Sequence, residues 1–209
     1  MPWIAAERRD VADLIDSLTP DQLATPSLCD AWTVHDVAAH LLMPLVTPMP
    51  RVLLAMARSG FDFDRANLRL TAQVARRPAA ELATGLRERA ATPFHPPGRG
   101  FEAPLNDVLV HRQDMCRPLG LVVRPADDRL RVALDATARL RTDGDRARPR
   151  FAGLGFRATD LDWSQGSGPV VRGTGEALLL VRSRRLVALD EVTGDGADLL
   201  RSRLIPSPA

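Results

Sequence analysis

Asp107 and His111 stand four residues apart in a stretch with helical periodicity, so both side chains leave one face of a helix one turn apart. A carboxylate is a hard oxygen donor and a neutral imidazole a nitrogen donor; together they suit Zn2+ or another first-row divalent cation. A third donor must come from elsewhere, and His40, inside a different predicted helix, is the natural candidate, because facing helices of a bundle can build a metal centre in its core. Three protein donors leave one coordination position for water or substrate, the arrangement of catalytic rather than structural sites. A thiol or water bound there ionises near neutral pH. The alternative is an ordinary helix pair with His40 as a satisfied interior histidine.

The other reactive side chains are harder to place. Asp114, one turn past His111, is a ligand, a partner that orients the imidazole, or a solvated charge. His35 falls in the first turn of its helix and is expected to be exposed; His95 lies in a Pro-rich loop and is assigned no role. Cys29 and Cys116 could act as thiolates, although most free cysteines are small buried hydrophobes. Trp32 and Trp163 read as packing anchors. Arg172, before Gly173-Thr174-Gly175, and Arg185, after a leucine-rich helix, could each hold a substrate carboxylate through two hydrogen bonds. The Gly-Thr-Gly is too short for a phosphate loop.

The elements that position these groups are helical in the first half. Ile4, Val11, Leu14, Ile15 and Leu18 recur at helical spacing and stop at Thr19-Pro20. A loop runs to Trp32. Thr33 then caps a helix carrying His40, with Asp36 as its capping-box acid. Pro44 requires that helix to end or bend nearby. Further helices are predicted over 52–58, 61–77, around Leu82 and Leu86, and from about Pro104 to Cys116, followed by 127–141. Residues 142–145 and the arginines after them read as a linker. Beyond it, Phe156 to Trp163 is a predicted strand, Ser164 to Gly168 a turn, and Val170 to Arg172 a strand. A helix then holds Leu178, Leu179 and Leu180, Leu186 to Leu189 is a short strand, and Ala197 to Leu204 a last helix.

Composition narrows the function classes. The 209 residues include 28 basic and 26 acidic side chains, a net charge of +2, with 45% hydrophobic residues. This is a globular composition with too little excess charge for a nucleic-acid binder. Every basic residue is arginine and tyrosine is absent, which removes Schiff-base lysine and tyrosine-acid chemistry. Two cysteines cannot form a disulfide framework, and no signal-peptide or membrane-spanning pattern is visible, so the expected location is the cytoplasm.

Three motifs occur together. The first runs from Thr25 through Cys29-Asp30-Ala31-Trp32-Thr33 to His40-Leu41-Leu42; the second is Asp107-Val108-Leu109-Val110-His111-Arg112-Gln113-Asp114. The third comprises Ala158 to Trp163, Gly166 to Gly173 and Leu186 to Gly196. In this order they resemble the mycothiol-dependent maleylpyruvate isomerase family, within the DinB-like superfamily. The resemblance implies an α+β protein: a DinB-like four-helix bundle over 1–142 and a small α+β domain over 150–209 resembling sterol carrier proteins. It implies zinc or a similar metal on His40, Asp107 and His111, with Asp107 in place of the family's glutamate. It also implies mycothiol as cosubstrate, ionised by the metal to attack a small electrophile, and Arg185 as the arginine that holds a substrate carboxylate. Arg184 replaces the glycine that precedes this arginine in the family. Arg65, Asn67 and Arg69 are further cavity candidates. A non-catalytic small-molecule-binding module and a metal-assisted hydrolase are alternatives on the same scaffold.

Overall fold

The structure is a computed structural model that describes residues 2–94, 100–139 and 150–205. His95 and the linker at 142–145 lie outside the described residues. The chain divides into two compact units, Met1–Val123 and Arg124–Ala209. The first contains α1 (Pro2–Ser17), α2 (Pro20–Leu23), α3 (Val34–Val46), α4 (Met49–Arg58), α5 (Phe63–Val74), α6 (Ala79–Glu88) and α7 (Glu102–Cys116).

Helices α1, α3, α6 and α7 close a ring in which α1 and α3 each pack on both α6 and α7. This is a four-helix bundle. Its interior is filled by Val11, Ile15, Val37, Leu42, Leu82, Leu86 and Met115, all nearly or fully inaccessible to solvent. Helix α5 leans on α3, and α4 packs on α5 as the other arm of a hairpin.

The start of α3 follows directly from sequence. Thr33 Oγ1 accepts from the Asp36 amide while the Asp36 carboxylate accepts from the Thr33 amide at 2.9 Å, so two otherwise orphaned donors are satisfied. Pro44 lies inside α3, and the helix ends two residues later at Val46. That ending agrees with a ring that removes a donor and crowds the His40 carbonyl.

The second unit holds α8 (Asp127–Arg139), β1 (Gly155–Ala158), β2 (Ser164–Gln165), β3 (Val170–Gly173), α9 (Gly175–Arg182) and α10 (Ala197–Leu204). The sheet order is β2-β1-β3, with β1 antiparallel to β2 and parallel to β3. The protein is therefore mostly helical with one small sheet, an α+β chain. Helix α8, expected in the bundle, packs instead on α9. The Trp163 indole donates to Asp135 at 2.8 Å, and Arg182 Nε donates to Thr137 at 2.5 Å. The Arg182 guanidinium also lies 4.6 Å from the Phe156 ring centroid.

Three sequence expectations in this unit need correction. The predicted strand from Phe156 to Trp163 is ordered as β1 only to Ala158. Ser164-Gln165, expected in a turn, pairs with β1. The turn follows at Gly166 and Gly168, whose positive φ angles (79° and 109°) and close approach to the Leu154 and Gly153 carbonyls leave no room for a Cβ. Leu186–Glu191 is a 3-10 helix rather than a strand. Leu186 and Val187 are exposed while Ala188 and Leu189 are buried, so neighbours share a side and the alternation of a strand is missing.

Candidate metal centre

The loop before α3 is shaped by its own backbone. Ser27 and Trp32 are joined by N–H···O=C at 2.9 Å, the Trp32 amide donates to Cys29 at 2.8 Å, and the Val34 amide donates to Thr25 at 2.9 Å. This closed loop presents Trp32 against the ring of His40, two turns into α3, with centroids 4.8 Å apart. From the other side of the bundle α7 presents His111, whose centroid lies 4.7 Å from that of His40 in an edge-on arrangement.

Asp107 lies between the imidazoles. Its Oδ1 is 3.5 Å from His111 Nε2 and 3.9 Å from His40 Nε2. The two imidazoles are nearly buried (11% and 12% exposed), whereas the Asp107 side chain is 46% exposed and forms the open side of the cluster. The three donor atoms lie within 4.8 Å of one another. Donors about 2.0–2.2 Å from a tetrahedral cation stand roughly 3.3–3.6 Å from each other. Asp107 already stands at or within a few tenths of an ångström of that spacing from both imidazoles, while separations of up to 4.8 Å within the set require the donors to draw together by as much as about 1 Å around a first-row divalent ion, which their donor types suit. Asp107, although one methylene shorter than glutamate, reaches both rings.

The second nitrogens are also occupied. His111 Nδ1 is 2.8 Å from Asp114 Oδ2, and Asp114 is completely buried. His40 Nδ1 faces the hydroxyl of Thr71 on α5 at 3.5 Å. When a cation displaces the second proton of His111, Asp114 can hold the one on Nδ1 and leave the Nε2 lone pair for the ion. The Cys29 thiol donates to the same Asp114 oxygen at 3.2 Å. Cys29, His111 and Asp114 form a second compact donor set, but contacts of 2.8 and 3.2 Å are those of a hydrogen-bonded support.

Electrostatics follow this geometry. Burial pushes the His111 imidazolium toward losing its proton, but the Asp107 charge and polar contacts with Asp107, Asp114 and Cys29 outweigh it and hold the pKa well above the usual histidine value. For Asp107, partial desolvation among the rings raises the pKa. The His111 charge and polar contacts with both imidazoles overcome that and hold it well below the carboxylate range. The buried Arg8 guanidinium on α1, anchored on the Ala90 and Thr92 carbonyls at 3.0 and 2.9 Å, adds positive charge in the neighbourhood of Asp107.

The other polar residues of the α7 motif serve the scaffold. Arg112 pairs with the buried Glu7 of α1 at 3.1 Å, and Gln113 donates to the Val123 carbonyl at 2.6 Å. Cys116 is buried as a small apolar residue. His35 is half-buried rather than exposed, and its Nε2 donates to the Ala75 carbonyl at 2.9 Å, fastening α3 to the end of α5. Trp163 anchors the second unit, as expected. The sequence gives no signal for Thr71, and Trp32 was expected only to pack.

Arg185 and Arg172 belong to the second unit. Arg185 is half-buried and donates to the Ser183 carbonyl at 3.0 Å; Arg172 is exposed on β3. Arg184 has φ of 66°, the left-handed conformation that glycine adopts without strain. Arg65 is exposed and paired with Asp62, and Arg69 lines a separate groove between α4 and α5. Asn67 is half-buried on α5.

No helix among the described residues is long and apolar enough to cross a membrane. Searches of curated proteins and of solved structures gave no match. Residues 4–91, which include His40 and end before α7, match the family described as the mycothiol maleylpyruvate isomerase N-terminal domain. The bundle unit of this chain therefore carries a domain of the mycothiol maleylpyruvate isomerase family.

Proposed function

We propose that the protein is a metal-dependent thiol transferase or isomerase that uses mycothiol on a small electrophilic substrate, with His40, Asp107 and His111 as metal ligands. The observation that carries this reading is the convergence of His40 Nε2, His111 Nε2 and Asp107 Oδ1 from two helices of a domain whose family is named for mycothiol chemistry. A divalent cation such as Zn2+ would supply the Lewis acidity that ionises a thiol near neutral pH.

The protein's own groups have separate tasks. Asp114 keeps the Nδ1 proton on His111 and directs Nε2 inward, while Thr71 faces Nδ1 of His40. Asp107 contributes one negative charge and leaves the exposed side of the cluster open. Trp32 walls the rings from water on another side. Arg185 is the group proposed to grip a substrate carboxylate, and the second unit keeps the sterol-carrier likeness as a proposal.

Elemental analysis of the purified protein and of His40→Ala and His111→Ala tests the reading, paired with thiol-dependent turnover on a panel of electrophiles. Near-stoichiometric zinc that is lost in both variants, together with mycothiol-dependent activity, is the expected result. Metal content unchanged in both variants, or tight metal without thiol-dependent turnover, would overturn it.

A further inference from the structure

Helices α4 and α5 enclose a groove of about 630 Å3 whose walls carry Arg51, Arg58, Arg69 and Arg76. Arg51 and Arg58 are seven residues apart on α4, so they share a face and are separated by about 10 Å along its axis; Arg69 lies on α5 and Arg76 in the turn just beyond its end at Val74. The floor between them is apolar, built on Ala55 and Leu70 at 8% and 5% exposure. None of the four arginines has an ion pair or side-chain hydrogen bond among the described residues. Residues 49–77 carry six arginines against two aspartates, a net charge of +4 in a chain whose total is +2. None of the lining residues belongs to the His40–Asp107–His111 cluster.

We propose that this groove binds an elongated small molecule with an anionic group, carboxylate or phosphate, at each end and an apolar body between. Guanidinium groups on facing walls match anions in fork geometry, and the recessed floor takes the apolar part. The volume falls within the range of small-molecule sites. Other occupants fit less well. A flat bilayer would meet the rims and leave the floor dry of contact. A nucleic-acid duplex is too broad to enter between two packed helices. A second copy related by a two-fold axis would bring arginine against arginine.

Calorimetric titration with decanedioate tests the proposal, with butanedioate and decanoate as controls, on the full-length protein and on the exposed-site variants Arg58→Gln and Arg69→Gln. Decanedioate should saturate at one molecule per chain and bind at least tenfold more tightly than either control. Each variant should weaken it about tenfold with an unchanged circular dichroism spectrum, and added salt should weaken it further. His111→Ala should leave the titration unchanged, which separates this site from the metal centre. No saturable binding, equal affinity for the three probes, or loss in His111→Ala with retention in the arginine variants would overturn it. So would arginine-dependent binding to phosphatidylglycerol vesicles or to a single-stranded oligonucleotide by a protein that ignores decanedioate.

Discussion

The carboxylate of Asp114 lies 2.8 Å from Nδ1 of His111 with no solvent access, so one ring nitrogen is committed to the protein interior and the other is turned toward Asp107. Asp114→Asn keeps the shape and removes the charge. Zinc affinity should fall by roughly 10–100-fold, the usual effect of removing a carboxylate behind a metal-binding imidazole. Competition with a chromophoric chelator measures it; wild-type affinity in the variant would show that the Asp114–His111 pair is irrelevant to the metal.

Asp107 is the acid with the shorter reach. Asp107→Asn should weaken zinc by more than about a hundredfold, because a ligand charge is lost as well as a donor, whereas Asp107→Glu should stay within about tenfold of wild type. In the metal-free Asn variant the His111 pKa, followed by NMR, should drop, since the Asp107 charge is the leading influence that raises it. A His111 titration that does not move would remove the electrostatic role given to Asp107.

The cluster couples stability to pH in two directions. His111 is raised above its unfolded value of 6.5, so its contribution to the metal-free fold is full below that pH and is lost as pH rises through the raised value. Asp107 is depressed below 3.8, so its contribution is present above that pH and is lost as pH falls through the depressed value. A cation competes with the His111 proton. The rise in Tm on adding zinc should therefore be larger at about pH 8 than at about pH 6. Differential scanning calorimetry at the two values decides the point, and an equal or smaller rise at the higher pH would contradict it.

Arg184 occupies a left-handed backbone position at the end of α9. Arg184→Gly should stabilise the protein by about 1 kcal/mol, the strain of a Cβ in the left-handed region less the added freedom of glycine in the unfolded chain. Chemical denaturation provides the measurement. A lower midpoint would mean that the Arg184 side chain contributes more than its backbone loses.

The parts of this fold legible in the sequence are those set by local chemistry. Thr33 and Asp36 announce their capping box, and Ala197 to Leu204 forms a helix over the predicted span because its pattern and boundaries are local. The meeting of Asp107 with His111 follows from helical spacing, but His40 joins them only through tertiary packing; its place in a different predicted helix made it a candidate, and family likeness strengthened the assignment. Ser164-Gln165 was hidden because two residues carry no periodicity, and their strand character comes entirely from β1. The placement of α8 was equally hidden: Leu130 and Leu134 make an apolar stripe that says it must be covered, not by which unit. Thr71 gives no signal at all, being a polar residue within an otherwise apolar helical stripe.

The Leu28 amide donates to the Asp114 carbonyl at 3.2 Å, and the neighbouring Cys29 thiol reaches the Asp114 carboxylate across 85 residues of chain. One buried acid thus clasps two remote stretches of polypeptide and at the same time sets the proton on an imidazole. Any opening that frees this loop must disturb the tautomer, so amide exchange at Leu28 becomes a gauge of whether the cluster is chemically competent.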